Sequence, residues 1–347
     1  MPVPSATELS AGGLSQHGPW LLLNTDQGLW VANPDGTGGT LIQKTGPVLI
    51  PGSLQDAVSS TGGHIAFLTY SDAPGSYFNY RELHLNILTL PDFQSWLSIP
   101  LTTPETEPSA DNPSDINRAM TEHQSFVWSP EGKRLAFIGA SSGPSADLYE
   151  YSVNGGAVLR LTDGPDQAYD PIWSPDGTWI VQTAAAGFGT GAGIAVTGVY
   201  AARADGSGVI SLYAIPKGSG GEMAVGWLNN HTLVSLTWYI TCGPSDLRLT
   251  DLSPQKSDVV FKGCVTAAAV AEGRGSVLFA QSQDMAQFVD NPQPGMFLLT
   301  DADRTPRLVS NADIREIAWS AGRGTYLARW ADGSVLFEVS PTGDVRH

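Results

Sequence analysis

Short apolar runs alternate with turn residues along the whole chain, and one arrangement of them recurs. In residues 126–137 (FVWSPEGKRLAF) and 171–181 (PIWSPDGTWIV) an apolar stretch enters a Ser-Pro-acidic-Gly turn and a second apolar stretch leaves it. Two short apolar runs around such a turn predict a β-hairpin. With the Trp taken as position zero and the apolar residue seven places on as a check, seven units share one register. The pairs are Leu14/Leu21, Val58/Ile65, Trp128/Leu135, Trp173/Ile180, Trp227/Val234, Val270/Val277 and Trp319/Tyr326. Their successive offsets are 44, 70, 45, 54, 43 and 49 residues. A period in the forties with variable insertions predicts propeller blades.

The second half of each unit adds a strand, a Gly, Pro, Asp or Asn turn, and a fourth strand such as Thr40 to Gln43, Ala157 to Thr162 or Val209 to Ala214. The reading is therefore an all-β chain, a single β-propeller domain over 1–347 with four strands (A to D) per blade, seven-bladed with six as the alternative. The seventh unit ends too soon for a full D strand. Residues 2–7 are expected to supply it, since Pro2 and Pro4 are tolerated on an outermost strand. Trp128, Trp173, Trp227 and Trp319 recur at one place in the repeat, which assigns them to packing between blades.

The Trp followed by Ser-Pro-Glu-Gly (129–132) or Ser-Pro-Asp-Gly (174–177), with DLYEY at 147–151 and LRLT at 159–162, resembles the repeats of TolB-type (WD-like) propellers. Related blades occur in the propeller domains of prolyl oligopeptidase-like enzymes. The match is close over about residues 125–215 and holds in outline elsewhere. The resemblance implies the fold; propellers host adaptors, receptors and hydrolases alike.

Composition narrows the partners. Asp and Glu number 34 against 18 Lys and Arg, a formal charge of -16, which repels nucleic-acid phosphates and anionic headgroups. With 39 Gly and 24 Pro, long helices have little room. No apolar run is long enough to span a membrane. The N-terminus lacks the pattern of a signal peptide, so the protein is expected to be either cytoplasmic or shorn of an export segment. Cys242 and Cys264 fall at the ends of strands B and D of the fifth blade, which point to the same face. A disulfide there places the protein outside the cytoplasm, as a periplasmic, secreted or lipid-anchored chain.

In a propeller the BC loops and DA connections emerge on one face. The long segments, Ser71 to Glu82, Thr102 to Gln124, Thr183 to Gly198 and Gln281 to Gly295, all belong to that set, and elaborated loops on a rigid scaffold are where binding concentrates. A helical turn is expected around Ser114 to Met120. The candidate binding residues are Asp72, Tyr77, Phe78, Tyr80, Arg81, Phe188 and Phe288, with Phe188 on a glycine-rich flap. The mixture of aromatic anchors and charges suits a protein, peptide or glycan partner. Enzyme signatures are missing: no HExxH, no zinc spacing, no Gly-x-Ser-x-Gly elbow. No cofactor is required. Asp72, Asp111, Asp166, Asp284 and Asp290 are hard oxygen donors suited to calcium, and Asp56, Glu122, Asp170, Glu222 and Asp313 lie near the starts of A strands. The expected function is a noncatalytic exported binding scaffold. The alternatives are a calcium-dependent phosphoester or lactone hydrolase and a structural subunit of an envelope layer or filament.

Overall fold

The computed structural model describes residues 13–25, 28–43, 48–52, 54, 56–72, 79–93, 96–106, 114–189, 194–214, 221–239, 243–282, 294–330 and 336–346. The chain forms two compact units, residues 1–173 with 186–193 and residues 174–185 with 194–347. Its strands form seven antiparallel sheets in chain order. The first holds β1 (Leu21–Thr25), β2 (Gly28–Ala32) and β3 (Thr40–Gln43). The second holds β4 (Val48–Leu49), β5 (His64–Thr69), β6 (His84–Thr89) and β7 (Trp96–Pro100). Helix α1 (Asp115–Thr121) leads to the third, β8 (Phe126–Trp128), β9 (Arg134–Gly139), β10 (Asp147–Ser152) and β11 (Val158–Arg160). The fourth has the order β12 (Gln167–Trp173), β13 (Trp179–Phe188), β14 (Ile194–Arg203), β15 (Val209–Ala214).

The fifth sheet is β16 (Gly221–Trp227), β17 (Thr232–Tyr239), β18 (Gly243–Leu252) and β19 (Gln255–Phe261). The sixth is β20 (Val265–Ala271), β21 (Ser276–Gln281), β22 (Gly295–Thr300) and β23 (Arg307–Ser310). The seventh is β24 (Ile314–Ser320), β25 (Thr325–Trp330), β26 (Leu336–Val339) and β27 (Val345–Arg346). The last blade thus takes a short outer strand from its own C-terminal residues. Residues 2–7, expected to fill that place, lie outside the described residues. Among the described residues the first sheet has three strands, and Leu14, expected in its innermost one, lies in no strand.

In four units the seven-residue check is the cross-strand register. Val58 bridges Ile65, and Trp128, Val270 and Trp319 lie opposite Leu135, Val277 and Tyr326. In the fifth sheet a bulge between Ala224 and Gly226 moves the register by one, so that Gly226 faces Val234 and Trp227 faces Leu233. The serine of each clear turn closes it. Gly132 donates to Ser129 O at 2.8 Å while Ser129 Oγ accepts from Arg134 N at 3.0 Å. Gly177 and Trp179 repeat this on Ser174, at 2.9 Å each. Both glycines stand at φ +68°, the left-handed backbone that favours glycine.

Packing follows the two-residue period of a strand. Along the wholly buried β21, Val277 and Phe279 join Val234, Leu247 and Phe297, whereas Leu278 and Ala280 join Ile314, Tyr326 and Phe337. Both faces of an inner blade are therefore core. Of the four repeated tryptophans, Trp128, Trp173 and Trp227 are buried, and Trp319 is half-buried against the cluster around Tyr326. Trp128 Nε1 donates to Ala57 O at 3.2 Å and Trp173 Nε1 to Val127 O at 3.0 Å. Each acceptor is the residue just before position zero of the preceding unit, so the indoles tie neighbouring repeats together.

Candidate functional site

The site is built in the first unit by the segments that follow β5 and β7. Ser71 N donates to Arg81 O and Arg81 N to Asp72 O, both at 3.0 Å, so the 71–82 excursion stands on a two-bond antiparallel stem. Leu101 N donates to Leu83 O at 2.8 Å and brings Thr102–Pro104 alongside. Between them lies a groove of about 640 Å³ lined by Ser71, Asp72, Arg81, Glu82, His84, Thr102, Thr103 and Pro104. Arg81 approaches the Asp72 carboxylate at 3.9 Å, with the two side chains 41% and 57% exposed. Glu82 adopts a left-handed φ of 48°, and His84 Nδ1 sits 3.0 Å from Ser98 Oγ.

Helix α1 is the prop behind this groove. Asn117, fully buried, accepts from Tyr80 N through Oδ1 at 3.1 Å and donates through Nδ2 to Tyr80 O at 2.8 Å, the pair of bonds a neighbouring strand would make. The Tyr80 ring lies against Tyr70 with centroids 4.4 Å apart. Burial pushes both phenols above their ordinary range, with the Tyr70 charge adding to the effect on Tyr80. On the same helix Asp115 Oδ1 accepts from Phe188 N at 2.9 Å, and Arg118 pairs with Glu122 at 2.6 Å while donating to Phe188 O. His123 follows, with Nδ1 3.5 Å from Asp170 and its ring against Tyr169 and Phe188, at 4.8 and 5.5 Å between centroids. Asp170 takes a positive φ of 51° and is tied to Gln124 by two 3.1 Å hydrogen bonds, one from its backbone N–H and one to its carboxylate.

These positions sort the sequence candidates. Asp72 and Arg81 line the groove, and Tyr80, beside Arg81 in the chain, is held by Asn117 behind it. Tyr77, Phe78, Phe288 and the far end of the glycine-rich segment lie outside the described residues. Phe188 is 3% exposed, the last residue of β13, wedged between Tyr169, His123 and Arg118. It is a packing residue of the prop and not a group on a flap, because the strand runs on through the first half, residues 184–188, of what reads in sequence as a glycine-rich loop. The helix expected around Ser114 to Met120 is α1, two turns long. Asn117 and the contacts of Asp115 with Phe188 and of His123 with Asp170 escape the sequence reading; the one available sign was an asparagine, a poor helix former, in the middle of a helical turn.

No group of three or more His, Cys, Asp and Glu is placed to hold a metal ion among the described residues. Of the carboxylates offered for calcium, Asp111, Asp284 and Asp290 lie outside them. Of those near A-strand starts, Glu122 and Asp170 are engaged as above, and Glu222 accepts from Ser235 Oγ and faces Arg248 Nε at 3.9 Å. Cys264 is fully buried just before β20, and Cys242 lies outside the described residues. No helix among the described residues is long and apolar enough to cross a membrane.

No family model matches the chain. The tricorn protease structure is similar over 98% of this chain and 34% of its own, at a TM-score of 0.51 and 12% identity. The chain has a β-propeller fold. A TolB structure from Acinetobacter baumannii is similar over 94% of this propeller and 77% of that chain, at a TM-score of 0.41 and 11% identity. Among curated proteins, the "Uncharacterized peptidase YuxL" of Bacillus subtilis is 47% identical over 62 residues. That match covers 18% of the propeller and 9% of the Bacillus protein, so the chain matches only a small part of that relative.

Proposed function

We propose that this propeller is a noncatalytic scaffold, exported from the cytoplasm, that binds a protein, peptide or glycan partner through the groove at Asp72 and Arg81 and the loops around it. The observation that supports the reading is the way two long insertions, 71–82 and 102–124, are spent. They wall an open groove, and a buried asparagine fixes one to the other. A chain that carried these segments only as spacers would gain nothing from that clamp. Export rests on a disulfide between Cys242 and Cys264, and denatured, unreduced protein is expected to show no titratable thiol.

The test is capture of a partner by the whole chain and by a Tyr77→Ser, Phe78→Ser, Arg81→Gln variant. The variant is expected to lose the partner while keeping its unfolding midpoint; undiminished capture overturns the assignment. Calcium chloride serves as the control for the alternative chemistry. A strong calcium-dependent rise in Tm together with calcium-dependent turnover of a phosphoester or lactone would replace the scaffold with a hydrolase. Large ordered assemblies in solution would replace it with a structural subunit.

A further inference from the structure

We infer that the groove takes a peptide segment carrying a cationic and an anionic side chain close together; the inference rests on the scaffold reading and names its partner. Arg81 stands among two carboxylates, Asp72 across the stem and Glu82 beside it in sequence, and all three line one open cavity with the hydroxyls of Ser71 and Thr103. The Arg81–Asp72 approach is long, at 3.9 Å, and both side chains are about half exposed. An ion pair of that kind is weak and screened, so opening it costs little. A ligand that brings one charge of each sign replaces it with two closer, better-shielded pairs, guanidinium to carboxylate and carboxylate to ammonium or guanidinium.

The other ligand classes fit less well. A polyanion meets Asp72 and Glu82, and a polycation meets Arg81. A neutral glycan would strip water from the Arg81 and Asp72 charges and return only hydroxyl contacts, which are weaker than charge-assisted pairs. The described lining holds no Trp, Tyr or Phe ring on which a sugar face would stack. A mixed-charge peptide matches both members of the Arg81–Asp72 pair.

The experiment is panning of a random heptapeptide display library on the full chain, with a glycan array run in parallel. Enriched peptides are expected to carry Lys or Arg within a few residues of Asp or Glu. Their affinity should fall about tenfold in both Arg81→Gln and Asp72→Asn, and fall with added salt. Matching unfolding curves for the two variants and the parent guard against a folding artefact. Enriched peptides that lack the charge pair, or that ignore both substitutions, overturn the inference and leave the scaffold standing. Glycans bound in an Arg81-dependent way with no peptide enriched do the same. Retention of neither peptide nor glycan overturns both.

Discussion

Asn117→Ala is the most direct probe of the clamp behind the groove. The substitution deletes two hydrogen bonds, from Tyr80 N to Asn117 Oδ1 at 3.1 Å and from Asn117 Nδ2 to Tyr80 O at 2.8 Å, at a fully buried position. A net hydrogen bond contributes about 1 kcal/mol, and a buried backbone group left without a partner adds about 1–3 kcal/mol. Tyr80 is only half-buried, so water recovers part of this. The expected loss is about 2–4 kcal/mol, most of it felt by the 71–82 stem and α1. Urea denaturation reads the global part. Amide hydrogen exchange reads the local part, with Tyr80 N–H exchanging roughly thirtyfold faster or more, since each 1.4 kcal/mol is a factor of ten. Asn117→Asp keeps the acceptor but sets a carboxylate against Tyr80 O; it should be as damaging at neutral pH and partly recover in acid, where the carboxyl becomes a donor. A Tyr80 amide that exchanges within twofold of the parent, with unfolding free energy changed by less than about 0.5 kcal/mol, would refute the idea that these bonds hold the groove.

Trp128→Phe removes the indole donor to Ala57 O and should cost about 1–3 kcal/mol in urea denaturation, whereas Trp330→Phe at a 38% exposed site should stay within about 0.5 kcal/mol. Burial pushes the Glu222 carboxyl above its ordinary value of 4.5, against the opposing pull of Ser235 and Arg248. The folded chain therefore holds that proton to higher pH than the unfolded chain. The contribution is fully favourable below 4.5 and is lost as pH rises through the folded value. Glu222→Gln should flatten that part of the stability-against-pH curve, and an unchanged slope would count against it. Gly132→Ala forces a side chain into φ +68° with a Cβ 2.9 Å from Ser60 Oγ, and a loss of about 1–2 kcal/mol is expected by thermal unfolding. Reduction of the proposed Cys242–Cys264 bridge should lower stability by about 3 kcal/mol for a loop of that length, and insensitivity to reductant would remove the argument for export.

The repeat was legible because it is local. A hairpin needs a turn with a glycine at positive φ and a serine that can close it, and both are written within twelve residues, as at 126–137. From there the two-residue period places Val277 and Leu278 on opposite faces without reference to anything distant. The bulge at Ala224–Gly226 shows where this stops, for one extra residue shifts the pairing and leaves no mark in the apolar pattern.

The site belongs to the other category. Asn117 meets Tyr80 across 37 residues and Asp115 meets Phe188 across 73, so no spacing rule brings them together. Asp72 and Arg81, offered by the sequence, line the groove, whereas Phe188, offered as an aromatic on a flap, is carried by its strand into a buried contact with Tyr169 and His123. By itself the chain determined its strands, their turns and the alternation that buries both blade faces, since these depend on neighbours a few residues away. Which insertions touch, and which polar groups find partners there, was decided only by tertiary structure. Those contacts link residues whose separation along the chain carries no local signal.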